Sequence, residues 1–287
     1  MVVVLVRHGE RLDYRRKQAW IDGSKRPWDT PLTEHGHEQG KIAGEEISRK
    51  LKELGLPPAT RIYSSPFTRC VETSVALRKG LEEGQKIEIA LENSLGEALG
   101  EDWYRSWALA EKSDSTWGGP PGFETGSGYE GVKLRSQAHV PANQLLKTRA
   151  DFADVDNLNK SHVSVFLPGY TIETPEEHDI MRARIGRFAA AAAHAFPDET
   201  IVLCSHGGPL ATLFNYLTGE HCPPLGFTAI SILQRAENAQ TLDEGNPLGP
   251  GANAFHAHLT ASTNHLDSAE DLGLQTAFTG KEEELTK

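Results

Sequence analysis

Two runs rich in Val, Ile and Leu, each followed by a histidine and a glycine, constrain the fold of this 287-residue chain most strongly. Residues 2–6 read V-V-V-L-V and residues 200–204 read T-I-V-L-C. Such short apolar runs are typical of strands buried on both faces of a parallel sheet. Helical patterns separate them, and the alternation predicts an α/β fold with a largely parallel sheet.

Caps and apolar periodicity predict where the elements lie. Thr33 is expected to cap a helix that reaches about Leu54 and stops at Gly55. Pro66 is expected in the first turn of a helix that reaches about Lys79. The remaining predicted elements are strands at 60–64, 86–90, 226–234 and 254–260, and helices at 175–194 and 208–218.

Charge and cysteine usage exclude several classes of function. The chain has 29 Lys and Arg against 40 Asp and Glu, a formal charge of −11, which disfavours nucleic acid and anionic membranes as partners. No apolar run is long enough to span a bilayer. Three cysteines without a C-x-x-C pair suggest a reduced, cytoplasmic protein.

The middle of the chain differs from its flanks. Residues 113–174 show little periodicity and include the loop-like run G-G-P-P-G at 118–122. We interpret this segment as an insertion, in the manner of a lid or cap. The prediction is one domain over 1–270 that carries this insertion, followed by a polar tail over 271–287.

Three segments carry residue types suited to phosphate chemistry. Residues 7–11 read R-H-G-E-R, 63–73 read Y-S-S-P-F-T-R-C-V-E-T, and 204–208 read C-S-H-G-G. A fixed histidine can act as a nucleophile, and arginines bind phosphate in a bidentate manner. Each segment alone is also explained by ordinary surface or helix-start residues. The first and third segments nevertheless lie just past predicted strand ends, which would bring their two histidines to one edge of the sheet.

Taken in order, the three segments resemble the histidine phosphatase superfamily, which includes the cofactor-dependent phosphoglycerate mutases. Supporting matches are D-T-P-L-T at 29–33, Gly36 and Gln39. The extra arginine Arg11 is similar to the branch of the T-cell ubiquitin ligand/suppressor of T-cell receptor signalling phosphatases and insect ecdysteroid-phosphate phosphatase. The resemblance covers about 1–100 and 175–235, and implies a three-layer α/β/α fold.

The resemblance also implies a mechanism. His8 would attack phosphorus and form a phosphohistidine, while Glu97 would protonate the leaving oxygen and later activate water. His206 would take part in catalysis and donate to the phosphate. The phosphate-binding group would comprise Arg7, Arg11, Arg69 and His206. No metal and no cofactor are expected, because the arginines neutralise the phosphate charge.

Several alternatives stay open. Glu92 competes with Glu97 as proton donor, and Glu101 is a weaker candidate. A phosphoglycerate mutase-type phosphotransfer is the nearest competing reaction, although the residues at 12–15 and 27–32 depart from the mutase pattern. A catalytically inert binding or scaffold member is the third. The sequence leaves a homodimer open.

The expected substrate is a phosphorylated small molecule or a phosphoprotein. Aromatic residues after Glu97 favour aryl phosphates or phosphotyrosine, and core packing explains the same residues equally well. These residues are Trp103, Tyr104, Trp107 and Trp117.

Two histidine pairs are candidate metal ligands. His35 and His37 share a predicted helix start, and His256 and His258 share a predicted strand. No carboxylate or cysteine cluster accompanies either pair, so solvated side chains are the preferred interpretation.

Overall fold

A computed structural model describes the chain over residues 1–16, 20, 24, 29–82, 86–97, 147–159, 161–164, 178–237, 239 and 254–267. Its strands are β1 (Val2–Arg7), β2 (Ala59–Ser64), β3 (Ile89–Leu91), β4 (Thr200–Ser205), β5 (Ile230–Arg235) and β6 (Phe255–Ser262). Its α-helices are α1 (Leu12–Arg16), α2 (Glu34–Glu53), α3 (Thr68–Gly80), α4 (His178–Ala195) and α5 (Gly207–Thr218).

The six strands form one sheet in the order β3-β2-β4-β1-β5-β6. The first four strands in that order are mutually parallel, β5 runs antiparallel to β1, and β6 runs antiparallel to β5. Five of the six strands therefore point the same way. The predicted α/β fold with a largely parallel sheet is confirmed.

Helices cover both faces of the sheet, because alternate side chains of the buried strands point to opposite sides. Val3 and Leu5 of β1 pack with α4 and α5 in one apolar cluster. Val2, Val4 and Val6 pack with α2 and α3 in a second. The expected three layers are therefore present.

Most predicted elements appear close to their predicted bounds. Thr33 caps α2 by accepting a hydrogen bond from the amide of Gly36, and Gly55 adopts φ +66° just after the helix. Helix α3 begins at Thr68 rather than Pro66, because Phe67 occupies the cap position in an extended conformation. Strand β3 spans three residues instead of the predicted five.

Three short elements of the described residues were not predicted, and one of them is the 3-10 turn Asn93–Leu95, which follows β3. Helix α1 lies in the polar stretch after the first motif, where no apolar period marks it. A second 3-10 turn, Arg149–Phe152, lies within the predicted insertion and begins with a reciprocal capping box between Thr148 and Asp151. The T-x-x-D spacing was the available signal.

The domain limits stay predictions. Of the proposed insertion at 113–174, the structure describes 147–159 and 161–164. The tail at 271–287 lies outside the described residues, as do Trp103, Tyr104, Trp107, Trp117 and Glu101. Among the helices that the structure describes, none is long and apolar enough to cross a membrane.

Candidate active site

The site lies where the neighbouring parallel strands β1 and β4 end. Arg7 and Ser205 pair in register across these strands, so His8 and His206 leave the sheet at the same level. Their ring centroids are 5.5 Å apart. The expectation that two histidines distant in sequence meet at the carboxyl edge of the sheet is met.

Backbone hydrogen bonds fix His8 on both sides. Its amide donates to the Ser205 carbonyl at 3.0 Å, and its carbonyl accepts from the Thr228 amide at 3.3 Å. Gly9 allows a close approach to helix α2, since a methyl group there would lie 2.5 Å from the carbonyl oxygen of Gly36. The position tolerates no larger residue without a backbone shift.

The His8 ring is buried, and one contact determines which of its two nitrogens carries the proton. Nδ1 lies 2.8 Å from the Gly9 carbonyl oxygen. A carbonyl oxygen can only accept, so Nδ1 carries the proton and Nε2 keeps its lone pair. Burial, and then the charges of Arg69, Arg7 and Arg11, hold the pKa of His8 well below its ordinary value. His8 is therefore a neutral imidazole with a free nitrogen.

Arg7 is half-buried beside this ring. Its guanidinium donates to the Leu225 carbonyl at 2.5 Å and lies 4.8 Å from the centre of the Phe227 ring. Burial, and then the neighbouring charge of Arg11, lower the pKa of Arg7 to about 10. Arg7 thus keeps its charge at neutral pH.

Arg69 and Arg11 complete a cluster of positive charge. Arg69 lies in the first turn of α3, fully buried, with its guanidinium 4.7 Å from the centre of the Phe67 ring. Arg11 donates through Nε to Asp13 at 3.0 Å. The charges of Arg69, Arg7 and Arg11 all lower the pKa of His8.

The structure brings Glu97, and not Glu92, into this cluster. The Glu97 carboxylate lies 3.3 Å from the Arg69 guanidinium and 3.3 Å from Nδ1 of His206. Glu92 instead accepts hydrogen bonds from His162 at 3.0 Å and Ser164 at 2.6 Å. Geometry therefore favours Glu97 as the carboxylate that could exchange protons at the site.

Glu92 is held as a carboxylate. Burial would raise its pKa, but hydrogen bonds from His162, Ser164 and Ser94 outweigh that effect and lower it. Glu92 thus fastens residues 161–164, within the predicted insertion, to the loop that carries Glu97.

Both ring nitrogens of His206 are engaged. Nε2 lies 2.8 Å from the Ser65 hydroxyl, and Nδ1 faces Glu97. Burial, and then the charge of Arg69, hold the pKa of His206 well below its ordinary value, so the ring is neutral. The predicted donation from His206 to phosphate requires one of these two contacts to open.

Comparisons with known proteins identify the family to which this chain belongs. A sequence model of the histidine phosphatase superfamily (branch 1) matches residues 3–151, about half of the chain. The chain belongs to the histidine phosphatase superfamily. The predicted resemblance is thereby confirmed, and the fold is that of phosphoglycerate mutase-like proteins.

Two curated relatives match shorter parts of this chain. An uncharacterized phosphoglycerate mutase family protein of Acanthamoeba polyphaga mimivirus is 38% identical over 77 residues, covering 26% of this chain and 35% of the relative. The transcription factor tau 55 kDa subunit of Saccharomyces cerevisiae is 34% identical over 104 residues, covering 36% of this chain and 21% of the relative. The chain thus spans between a fifth and about a third of these relatives.

A solved structure agrees with the fold. The ecdysone phosphate phosphatase from Bombix mori, in complex with tungstate, superimposes with a TM-score of 0.52 at 18% identity, over 81% of this chain and 88% of that chain. At this identity the likeness concerns the fold.

Two side chains in the candidate site have no role that the sequence analysis assigned. Thr73 accepts a hydrogen bond from the Gly9 amide at 3.0 Å, and Ser65 bonds His206. Both lie within the 63–73 segment, so their motif was visible but their partners were not. The Ser65 contact depends on the pairing of β2 with β4, and the Thr73 contact depends on how α3 packs on the sheet. No local pattern encodes either.

The cysteine that contacts His206, Cys70, is a poor nucleophile. Sγ of Cys70 lies 3.5 Å from Nε2 of His206, yet burial, and then its contact with Cys204, raise the pKa of Cys70 well above its ordinary value. A thiol that stays protonated does not attack phosphorus. Among the described residues, no group of three or more His, Cys, Asp or Glu side chains is arranged to hold a metal ion.

Two buried neutral histidines are expected to make the stability of this protein depend on pH. Unfolded histidines titrate near 6.5, whereas His8 and His206 titrate well below that when folded, so below about pH 6.5 the unfolded chain binds more protons. The free energy of unfolding should therefore fall on acidification, by up to about 2.7 kcal/mol per pH unit from these two groups. Stability should be regained as pH rises through 6.5.

Urea unfolding of the wild type and His8→Asn, from about pH 5 to 8, measures this contribution. The variant should lose about half of the slope, roughly 1.4 kcal/mol per pH unit. Equal slopes in the two proteins would contradict a neutral, buried His8. An exposed-site variant, His194→Asn, serves as the control and should keep the wild-type slope.

Proposed function

We propose that this protein is a phosphomonoesterase that acts through a phosphohistidine intermediate on His8. The observation that carries the proposal is the free Nε2 of His8, left without a proton because Nδ1 donates to Gly9, within a cluster of three arginines. A nucleophile kept neutral amid fixed positive charge suits attack on a phosphate dianion.

In the first step, the Nε2 lone pair of His8 forms a bond to phosphorus and the bond from phosphorus to the ester oxygen breaks. The leaving oxygen takes a proton from Glu97, which must enter the step protonated. Arg7, Arg11 and Arg69 neutralise charge on the phosphoryl oxygens. The alcohol or phenol part of the ester leaves, and His8 holds the phosphoryl group.

In the second step, water attacks phosphorus and the N–P bond returns its electrons to His8. Glu97, now a carboxylate, takes the proton of that water and is ready for another turnover. His206 acts as a further donor to the phosphoryl group once its contact with Glu97 or Ser65 opens. Positive side chains supply all charge neutralisation, so the proposal includes no metal and no cofactor.

The proposed substrate is a phosphorylated small molecule or phosphoprotein with an aryl phosphate, phosphotyrosine included. Support comes from Phe227, whose ring centroid is 6.0 Å from that of His8, and from Tyr14, which packs edge-on against Phe227 at 5.5 Å. A relative of the same fold is described as acting on ecdysone phosphate. The proposal places the reaction in the cytoplasm.

A second candidate is a binding subunit without turnover. The match to the transcription factor tau 55 kDa subunit supports it, since that relative is named for its place in an assembly. Under this hypothesis the arginine cluster would hold a phosphorylated partner without cleaving it. The two functions differ in whether any phosphate ester is cleaved.

The deciding experiment is hydrolysis of p-nitrophenyl phosphate with EDTA present, combined with acid-free quenching and intact mass measurement. We expect metal-independent turnover and a transient mass increase of one phosphoryl group. Binding of phosphate esters without cleavage would favour the binding subunit. Phosphate exchange between phosphoglycerates with little release of inorganic phosphate would assign a mutase instead.

A further inference from the structure

One arginine on the apolar face of α4 has no part in the phosphate cluster. Arg184 lies three residues after Met181 and four before Phe188, on the stripe that packs against the sheet, and its side chain is 4% exposed. Burying a guanidinium in an apolar layer is costly unless its donors are used. The hydrogen-bond partners of the guanidinium must therefore account for its burial.

Arg184 hydrogen-bonds the loop that carries Glu97. Its guanidinium donates to the carbonyls of Ser94 at 2.5 Å, Gly96 at 3.0 Å and Glu97 at 3.0 Å. The carbonyl of Leu95 accepts from the Ser205 hydroxyl at 2.6 Å. Four successive carbonyls thus receive side-chain donors, and Arg184 supplies three of them.

This loop has little regular structure to hold it in place. It leaves β3 through a single 3-10 turn, Asn93–Leu95, and its last internal bond joins the Gly96 amide to the Asn93 carbonyl. Glu97 follows that turn in a segment that is neither helix nor strand. The direction of its carboxylate therefore depends on how the backbone of 94–97 is fixed.

We propose that Arg184 is a positioning residue, which holds the backbone at 94–97 so that Glu97 can protonate the leaving oxygen. The proposal rests on the proposed phosphatase function and on Glu97 as proton donor. A planar guanidinium bonds several carbonyls in a fixed fork, whereas a lysine ammonium is a point donor on a flexible stem. Arg184 would thus act through geometry and not through charge alone.

Leaving-group dependence separates positioning from general damage. p-Nitrophenolate departs without a proton, whereas phenolate, whose conjugate acid has a pKa of about 10, benefits from one. In Arg184→Lys, kcat/KM for phenyl phosphate should fall by about 10- to 100-fold, and that for p-nitrophenyl phosphate by less than about threefold. kcat/KM is the correct measure because it reports the step that forms the phosphohistidine.

Three further variants complete the comparison. Glu97→Gln should show the same dependence on the leaving group, more strongly. Arg187→Lys alters an exposed arginine of the same helix and should leave both substrates unaffected. Arg184→Met removes the charge as well. If charge alone mattered, Arg184→Lys would match the wild type and only Arg184→Met would lose activity.

Hydrogen exchange measured by mass spectrometry tests the positioning without any turnover. In Arg184→Lys, amides of 92–97 should exchange faster by at least about tenfold, while β1 and β4 keep wild-type protection. Unchanged exchange at 92–97, or equal losses on both substrates, would overturn the proposal. An inactive wild type whose Arg184→Lys variant loosens 92–97 would reject the phosphatase but keep the anchoring of the loop.

Discussion

Replacing His8 by alanine is expected to lower turnover of p-nitrophenyl phosphate by at least about four orders of magnitude. The variant lacks the nitrogen that would bond phosphorus, and no nearby thiol replaces it, since Cys70 stays protonated. The transient mass increase should vanish as well. His194→Ala, which truncates an exposed histidine, should keep wild-type turnover.

The same variant should still bind phosphate. Arg7, Arg11 and Arg69 remain, so isothermal titration with inorganic phosphate should give an affinity close to that of the wild type. Turnover that survives in His8→Ala would assign the wrong nucleophile. Loss of both turnover and phosphate binding, with a lower melting temperature, would report a collapsed site, and His8→Asn would then be the variant to measure.

The second large effect concerns Glu92 and Glu97, which are both buried. Glu97→Gln should reduce kcat/KM for phenyl phosphate by about 10²- to 10⁴-fold, since an amide has no acidic proton to give. Glu92→Gln is the matched substitution in the same loop. It should alter kcat/KM by less than about tenfold but reduce the free energy of unfolding by about 1–3 kcal/mol, because the donors of His162, Ser164 and Ser94 lose a charged acceptor.

The pair of variants resolves the choice that sequence left open. If Glu92→Gln lost the phenyl phosphate reaction and Glu97→Gln kept it, the proton donor would be Glu92 and the contact between Glu97 and Arg69 would be structural. Chemical unfolding in urea and steady-state kinetics on the same preparations supply both readouts.

The strand ends and their motifs could be predicted because they are local. Short apolar runs mark β1 and β4, and the H-G pairs after them place His8 and His206 at one edge through a general property of parallel sheets. Thr33 and Gly55 mark α2 for the same reason, since caps need particular side chains or backbone angles at fixed positions.

Contacts between distant segments could not be predicted in this way. Ser65 meets His206 because β2, which precedes Ser65, pairs with β4. Thr73 meets Gly9 because α3 packs on the face of the sheet that includes β1. Arg184 gave a local hint, an arginine on an apolar stripe, but its carbonyl partners lie about 90 residues earlier. The choice between Glu92 and Glu97 depended on which one His162 and Ser164 occupy, and those residues belong to a segment without periodicity.

The strand order has a consequence for a chain that emerges from the ribosome. Strand β1 pairs with β4 and β5, whereas β2 pairs with β3 and β4, so the first two strands made never touch each other. In a nascent chain that has not yet reached residue 200, neither of the two strands that pair with β1, the strand before His8, has been synthesised. The arrival of one central strand, flanked by partners made nearly 140 and nearly 200 residues earlier, joins the sheet and the two histidines in a single event.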